Sequence, residues 1–179
     1  MPGERLTPTE CDHLGNFAST LDCARVRLYR DTASGMSAAF RRLVLWLSRN
    51  RAVALGNHVY LPTDCQNDLP VLAHELTHCA QYQDWGPWRY FSLGAVNQVR
   101  DLLHRRLGIG SSPYRYTCEP GKPFSAYGME QQGQIVEDYF RNRLTSFRPP
   151  DPWSDGHVPG EAYPPTGPAR SRPDQPPSP

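Results

Sequence analysis

The stretch LPVLAHELTHCAQYQDW, residues 69–85, decides how the rest of the chain is read. Asp68 offers a helix N-cap, and Pro70 falls in the first turn, where a missing N–H is tolerated. Gly86-Pro87 closes the run, so the spacing predicts a helix from about Leu69 to Gln83. Leu69, Val71, Leu72, Leu76, Cys79 and Ala80 surround the polar residues with apolar ones. Inside this helix, His74-Glu75-Leu76-Thr77-His78 sets two imidazoles four residues apart. Residues so spaced stand one above the other on a helix face. Both rings can therefore address one ion at the roughly 2.0–2.1 Å that zinc prefers. Glu75 stands beside such an ion rather than on it, where it can take a proton from a water that zinc makes acidic. The spacing predicts one Zn2+ per chain on His74 and His78, with Glu75 as general base. A short strand just before the helix, at His58–Leu61, could serve as a substrate-binding edge.

A catalytic zinc usually takes three protein ligands and keeps one position open. The candidates for the third are Glu119, Glu130, Glu137, Asp138, His58, His104 and His157. His157 lies in a Pro-rich stretch, and His104 sits at a helix C-terminus, where a cationic ring has its own electrostatic reason to be. The direction of His58 depends on strand register. In SAYGMEQQGQIVEDYF, residues 125–140, Glu130, Gln134 and Glu137 follow i, i+4, i+7 and share a polar face, opposite Ile135, Val136, Tyr139 and Phe140. A second helix laying Glu130 against the first would complete a His, His, Glu set. Glu130 is the preferred ligand, with Glu137 the second choice.

The length of 179 residues suits one domain with a proper core. From Arg148 onward, RPPDPWSDGHVPGEAYPPTGPARSRPDQPPSP holds 11 of the 19 prolines, which predicts an extended, mostly disordered tail over 148–179 after a folded domain over 1–147. The net charge of +1 implies no strongly charged partner, and arginine pairs such as Arg41-Arg42 and Arg105-Arg106 read as solvated helix faces, so nucleic acid is not expected as a partner. Five cysteines without a CxxC pair read as reduced, partly buried thiols. The N-terminal MPGERLTPTECDHLG has no apolar leader core, and the most apolar run, Ala38–Leu47, carries two arginines and is too short to span a bilayer. A monomeric, cytoplasmically made protein is expected, with any export by a route that needs no cleavable leader.

The remaining segments predict an α+β domain: a small sheet packed on the HELTH helix and on a later Glu-bearing helix. Thr7-Pro8-Thr9-Glu10 reads as a helix start, Arg25–Tyr29 as a strand, and Gly35–Arg49 as an amphipathic helix with Met36, Phe40, Leu43, Val44 and Leu47 near one face. Gly56-Asn57 signals a turn, Leu93–Leu107 a further helix and Tyr127–Phe147 a last one. Gln83–Phe91, QDWGPWRYF, could form an aromatic lid or membrane-touching loop, but aromatic side chains packing over the helix end are the preferred reading.

The segments RLTPTE, GNHVYLP, AHELTHCAQ and GKPFSAYGMEQQGQIVEDYF together resemble the zincin-like metallopeptidase domain of bacterial polymorphic toxins, most closely small Vgr-related proteins associated with secretion machinery. The resemblance extends over most of residues 1–147. It implies a minimal zincin lobe with a gluzincin-type site, hydrolysis of a peptide or protein substrate, and a secretion-system protein as partner. It also implies that the third ligand comes from an E-x-x-A-D-like element, which here is Glu130-Gln131-Gln132-Gly133-Gln134. The family's Asp is thus Gln134, which removes a carboxylate that would orient a ligating imidazole. Two functions compete on this reading: a zinc metallopeptidase working through Glu75, and a zinc-stabilised adaptor module of weak or no activity.

Overall fold

The computed structural model describes residues 3–31, 35–119 and 121–144. The Pro-rich tail expected over 148–179, and His157 within it, lie outside the described residues. Four α-helices and a three-stranded sheet make up a mixed α+β fold.

Helix α1, Pro8–Leu14, starts as its sequence demands: Thr7 Oγ1 accepts from the Glu10 N–H at 3.2 Å, and Glu10 Oε2 accepts from the Thr7 N–H at 2.7 Å. Strand β1, Arg27–Tyr29, begins later than Arg25 because a 3-10 turn occupies Cys23–Arg25, with Asp22 capping it through Ala24 N–H. Strands β2, Val53–Leu55, and β3, His58–Tyr60, form a hairpin around Gly56-Asn57, where Gly56 takes φ +64°. The sheet order is β1-β3-β2, with β1 parallel and β2 antiparallel to β3. The strand expected as a substrate edge, β3, is therefore the central one. The edge beside the long helix is β2.

Register sorts the two faces of the sheet. Leu28, Val59 and Ala54 align across the strands and face the main core, together with Leu61, Leu72, Leu76, Cys79, Ile135 and Val136. Tyr29, Tyr60 and Val53 point the other way, against Val44 and Leu45 of helix α2, Gly35–Leu47. Helix α2 does not bury the stripe expected of it. Arg41, Val44 and Leu45 are buried, while Met36, Phe40, Leu43 and Leu47 are exposed. Arg41 decides the rotation of the helix: its guanidinium donates to the Tyr29 and Leu61 carbonyls where strands β1 and β3 run out, and it pairs with Asp31 at 2.9 Å. The Tyr29 carbonyl also accepts from the Leu61 N–H at 3.1 Å. The Leu61 carbonyl, just past β3, needs a donor, and meeting it turns Arg41, not Phe40, inward.

Helix α3 runs over Leu69–Leu107, interrupted at Gly86, whose φ of 77° and ψ of 168° break the ladder ahead of Pro87. Proline cannot donate to the preceding turn, and Gly86 alone takes the positive φ without strain. The chain resumes as helix at once, so the two expected helices meet at Gly86 itself, and Gln83–Phe91 is helical on both sides of that residue rather than a loop. Tyr90 from this segment is buried, with its hydroxyl donating to the Ala54 carbonyl at 2.8 Å. It holds β2 to the helix, whereas Trp88 stands in solvent. Among the described residues no helix is long and apolar enough to cross a membrane. Helix α4, Met129–Phe140, packs along the first half of α3 and ends short of the expected Phe147.

Candidate metal centre

The first half of α3 buries Leu72, Ala73, Leu76, Cys79 and Ala80 against the sheet and α4, and carries His74, Glu75 and His78 in with them. Fully burying an apolar side chain of this size contributes about 1.5–3 kcal/mol. Burying a polar one without a partner costs about 1–3 kcal/mol. Yet His74, Glu75, His78, Gln81, Glu130, Gln132 and Glu137 are all buried together between α3 and α4. Such a cluster survives only if its members satisfy one another, and most of the contacts can be traced.

His74 Nδ1 donates to Glu137 Oε2 at 3.1 Å, and Glu137 is held in turn by Arg141 Nε at 3.0 Å. The same guanidinium reaches Asp68 Oδ2 at 3.1 Å, while Asp68 Oδ1 caps α3 by accepting from Val71 N–H at 3.2 Å. His78 Nδ1 donates to Gln81 Oε1 at 2.8 Å. The Gln81 amide donates to the Met129 carbonyl at 3.1 Å and to Gln132 Oε1 at 2.9 Å. Each imidazole thus spends its Nδ1–H on a fixed acceptor and leaves Nε2 facing inward, the arrangement that orients a metal-binding histidine.

The inward atoms meet. His74 Nε2 and His78 Nε2 are 3.2 Å apart, and Glu130 Oε2 lies 3.5 Å from His78 Nε2 and 3.9 Å from His74 Nε2. Ligands about 2.0–2.1 Å from a tetrahedral ion stand about 3.3–3.4 Å from one another. The three donors, all within 4.8 Å of one another and all buried, fit a zinc-sized cation. Their electrostatics agree. Burial works against a charge on His74, but Glu130, Glu137 and Glu75 raise its pKa to about 10. Burial likewise opposes charge on His78, and Glu130 outweighs it. Burial opposes ionisation of Glu130, yet the two rings hold its carboxyl well below the usual carboxylate range.

Glu75 stands next to this triad with different surroundings. Burial raises its pKa above that of an ordinary glutamate, opposed by the two histidines, and the Ala54 backbone of β2 donates to its carboxylate. A buried, oriented carboxylate with raised proton affinity suits general-base work near neutral pH.

The other candidates are elsewhere. His58 faces the α2 side of the sheet, 3.1 Å from the Tyr29 hydroxyl. His104 Nδ1 donates to the Gly110 carbonyl at 3.0 Å. Glu119 pairs with Lys122, and Asp138 with Arg143 and the Tyr116 hydroxyl. Gln134, standing where the resemblance implies Asp, donates to Asp138 at 3.3 Å. The carboxylate orienting His74 is Glu137, three residues on, so the role is filled from another position. Gly133 makes room for the arrangement: a Cβ there would stand 2.8 Å from His74 Nε2. Gln81 is the partner of His78 that the sequence did not announce, although its place three residues after the second histidine is the signal that could have named it.

Comparison with known proteins sets the chain beside secretion-system proteins. The eCIS core domain family matches residues 17–86. The chain is 31% identical over 136 residues to the type VI secretion system spike protein VgrG2b of Pseudomonas aeruginosa, an alignment covering 70% of this chain and 12% of the spike protein's length. The solved structure of the effector domain of that same protein superposes with a TM-score of 0.54 at 28% identity, covering 80% of this chain and 76% of the domain. The chain is thus related in sequence and fold to an effector domain of a secretion-system spike, and most of the described residues take part in the likeness.

Proposed function

We propose that the protein is a zinc-dependent metallopeptidase acting as an effector of a type VI-like secretion system. His74, His78 and Glu130 would hold the ion. When bound, zinc would polarise the scissile carbonyl and make a water acidic near neutral pH. Glu75 would take a proton from the attacking water as the water oxygen bonds to the carbonyl carbon. The carbon–nitrogen bond then breaks, and Glu75 hands its proton to the departing amine. Glu137 and Gln81 keep the imidazoles turned so that no proton blocks Nε2. Edge strand β2 donates through Ala54 to Glu75 and so holds that carboxylate beside the ligands.

The observation that carries this reading is the joint geometry of the buried triad and its supports. Three donors converge at ligand spacing, each histidine is backed by its own acceptor, and a buried carboxylate adjoins them. Relatedness to a spike protein's effector domain supports the secretion role and a secretion-system protein as partner. The test is cleavage of a mixed peptide library by zinc-loaded protein, read by mass spectrometry beside Glu75→Gln. The variant is expected to keep one zinc per chain and to lose at least about 10²-fold in rate, the low end of what a general base supplies. Equal cleavage by both proteins would sink the mechanism. Zinc in both without cleavage by either would favour the adaptor role.

A further inference from the structure

Helix α2 packs on the sheet face opposite the metal centre and leaves part of its surface in solvent. Trp46 is 74% exposed there. Arg42 lies one turn before it and Arg49 just past the helix end, both exposed. With Leu45, Asn50 and Thr63 these residues line a groove of about 420 Å³. The groove is basic for a reason written in the sequence: residues 32–63 hold Arg41, Arg42, Arg49 and Arg51 and no Asp or Glu. Arg41 is spent on the Tyr29 and Leu61 carbonyls and on Asp31. Among the described residues no carboxylate pairs with Arg42 or Arg49.

A basic groove with an indole wall fits a segment that carries acids, prolines and an aromatic ring, and the chain itself has one. From Pro149 to Ala169 the sequence holds Asp151, Asp155 and Glu161 and neither Lys nor Arg. Its first part, PPDPWSD at 149–155, sets Trp153 between two aspartates. Proline fixes φ before docking, so such a segment gives up little freedom on binding, and Pro-rich segments seat in aromatic-lined grooves. The described chain also ends on the side of the molecule where the groove lies. Arg141, which caps α4, bonds Asp68 Oδ2 at 3.1 Å. The Asp68 N–H donates to the Cys65 carbonyl at 3.0 Å, and the Cys65 N–H to the Pro62 carbonyl at 3.3 Å, so Asp68 is folded back towards Thr63. The stretch 63–68 therefore spans less than about 18 Å, while residues 145–153 can reach about 30 Å from Leu144. Trp153 can meet Trp46 with no rearrangement of the fold.

We propose that the acidic, proline-rich segment Pro149–Asp155 of this chain docks in the groove on α2, with Trp153 against Trp46 and the two aspartates beside Arg42 and Arg49. The docking depends neither on a metal nor on peptidase activity. The test is fluorine NMR of the full chain labelled with 5-fluorotryptophan, its four tryptophan signals assigned by Trp→Phe variants. Trp153→Phe is expected to shift the Trp46 signal, whereas Trp88→Phe, on α3, should leave both the Trp46 and Trp153 signals in place. Asp151→Lys with Asp155→Lys should shift both signals, and adding Arg42→Glu with Arg49→Glu should return them towards their wild-type positions. Salt at about 1 M, where the Debye length falls to about 3 Å, should move both signals the same way as the reversed tail. A Trp46 signal that ignores Trp153→Phe and the reversed tail would overturn the docking, as would a paired reversal that restores neither signal. Signals that move on dilution would overturn it too, by placing a second copy of the chain in the groove.

Discussion

His74 shows how much of this site rests on single contacts. Its Nε2 faces His78 and Glu130, its Nδ1 is bonded to Glu137, and the space beside it exists because residue 133 is glycine. Removing the acceptor in Glu137→Ala should lower zinc affinity about 10–100-fold with the fold retained, as measured by competition with a chelating dye. Unchanged affinity would mean that Glu137 serves only Arg141. The same contacts set a pH dependence for metal-free protein. The folded pKa of His74 is raised from 6.5 to about 10, so the stability it contributes is fully present below about pH 6.5 and is lost as pH rises through about 10. His78 is shifted in the same direction. The urea midpoint of metal-free protein should therefore fall between pH 7 and 10, and zinc-loaded protein, whose imidazoles are already neutral, should not share that loss. A metal-free midpoint that held level over this range would contradict the assigned couplings.

At the scale of elements, the kink in α3 separates a half that holds the ligands from a half that braces the hairpin through Tyr90. An alanine in place of Gly86 would meet nothing within 4 Å of its Cβ, but at φ 77° it would sit in the left-handed region. Gly86→Ala should cost about 1–3 kcal/mol in urea unfolding, because φ 77° with ψ 168° is a backbone region open essentially to glycine alone. No loss would mean that the kink relaxes. Helix α1 and the start of α3 were legible because caps are local: Thr7, Glu10 and Asp68 satisfy N–H groups three residues away. The hairpin was half legible, since Gly56-Asn57 marks its turn but three-residue strands such as Val53–Leu55 carry too little alternation to announce themselves. The rotation of α2 was not legible, because the strand-end carbonyl of Leu61, distant in sequence, draws Arg41 inward.

For the whole molecule, the ligand set bridges two helices. His74 and His78 belong to α3 and Glu130 to α4, so a bound ion clamps the pair that makes the most extensive helix contact in the fold. Metal affinity is then folding free energy. At free zinc about 100 times its Kd, the ion should add about 2.7 kcal/mol to stability. Dialysis against a chelator should lower the melting temperature, and zinc should restore it. Equal melting temperatures with and without zinc would mean that the cluster holds no ion in the folded protein. Glu130→Ala should show the smaller shift expected of a two-ligand site.

The sequence by itself determined the helix that carries His74, Glu75 and His78, since a period of 3.6 and an N-cap are written within one segment. It also brought Glu130 to the fore, through the polar face of residues 130–137. Only the tertiary structure decided which members of that face turn to the metal site and which support it. Glu130 meets the two Nε2 atoms, Glu137 takes the Nδ1 of His74, and Gln134 turns to Asp138. The physical reason is the reach of the forces. Periodicity and capping act over one helical turn, whereas ligand geometry depends on how two helices far apart in the chain are rotated against each other, and burial of apolar residues sets that rotation.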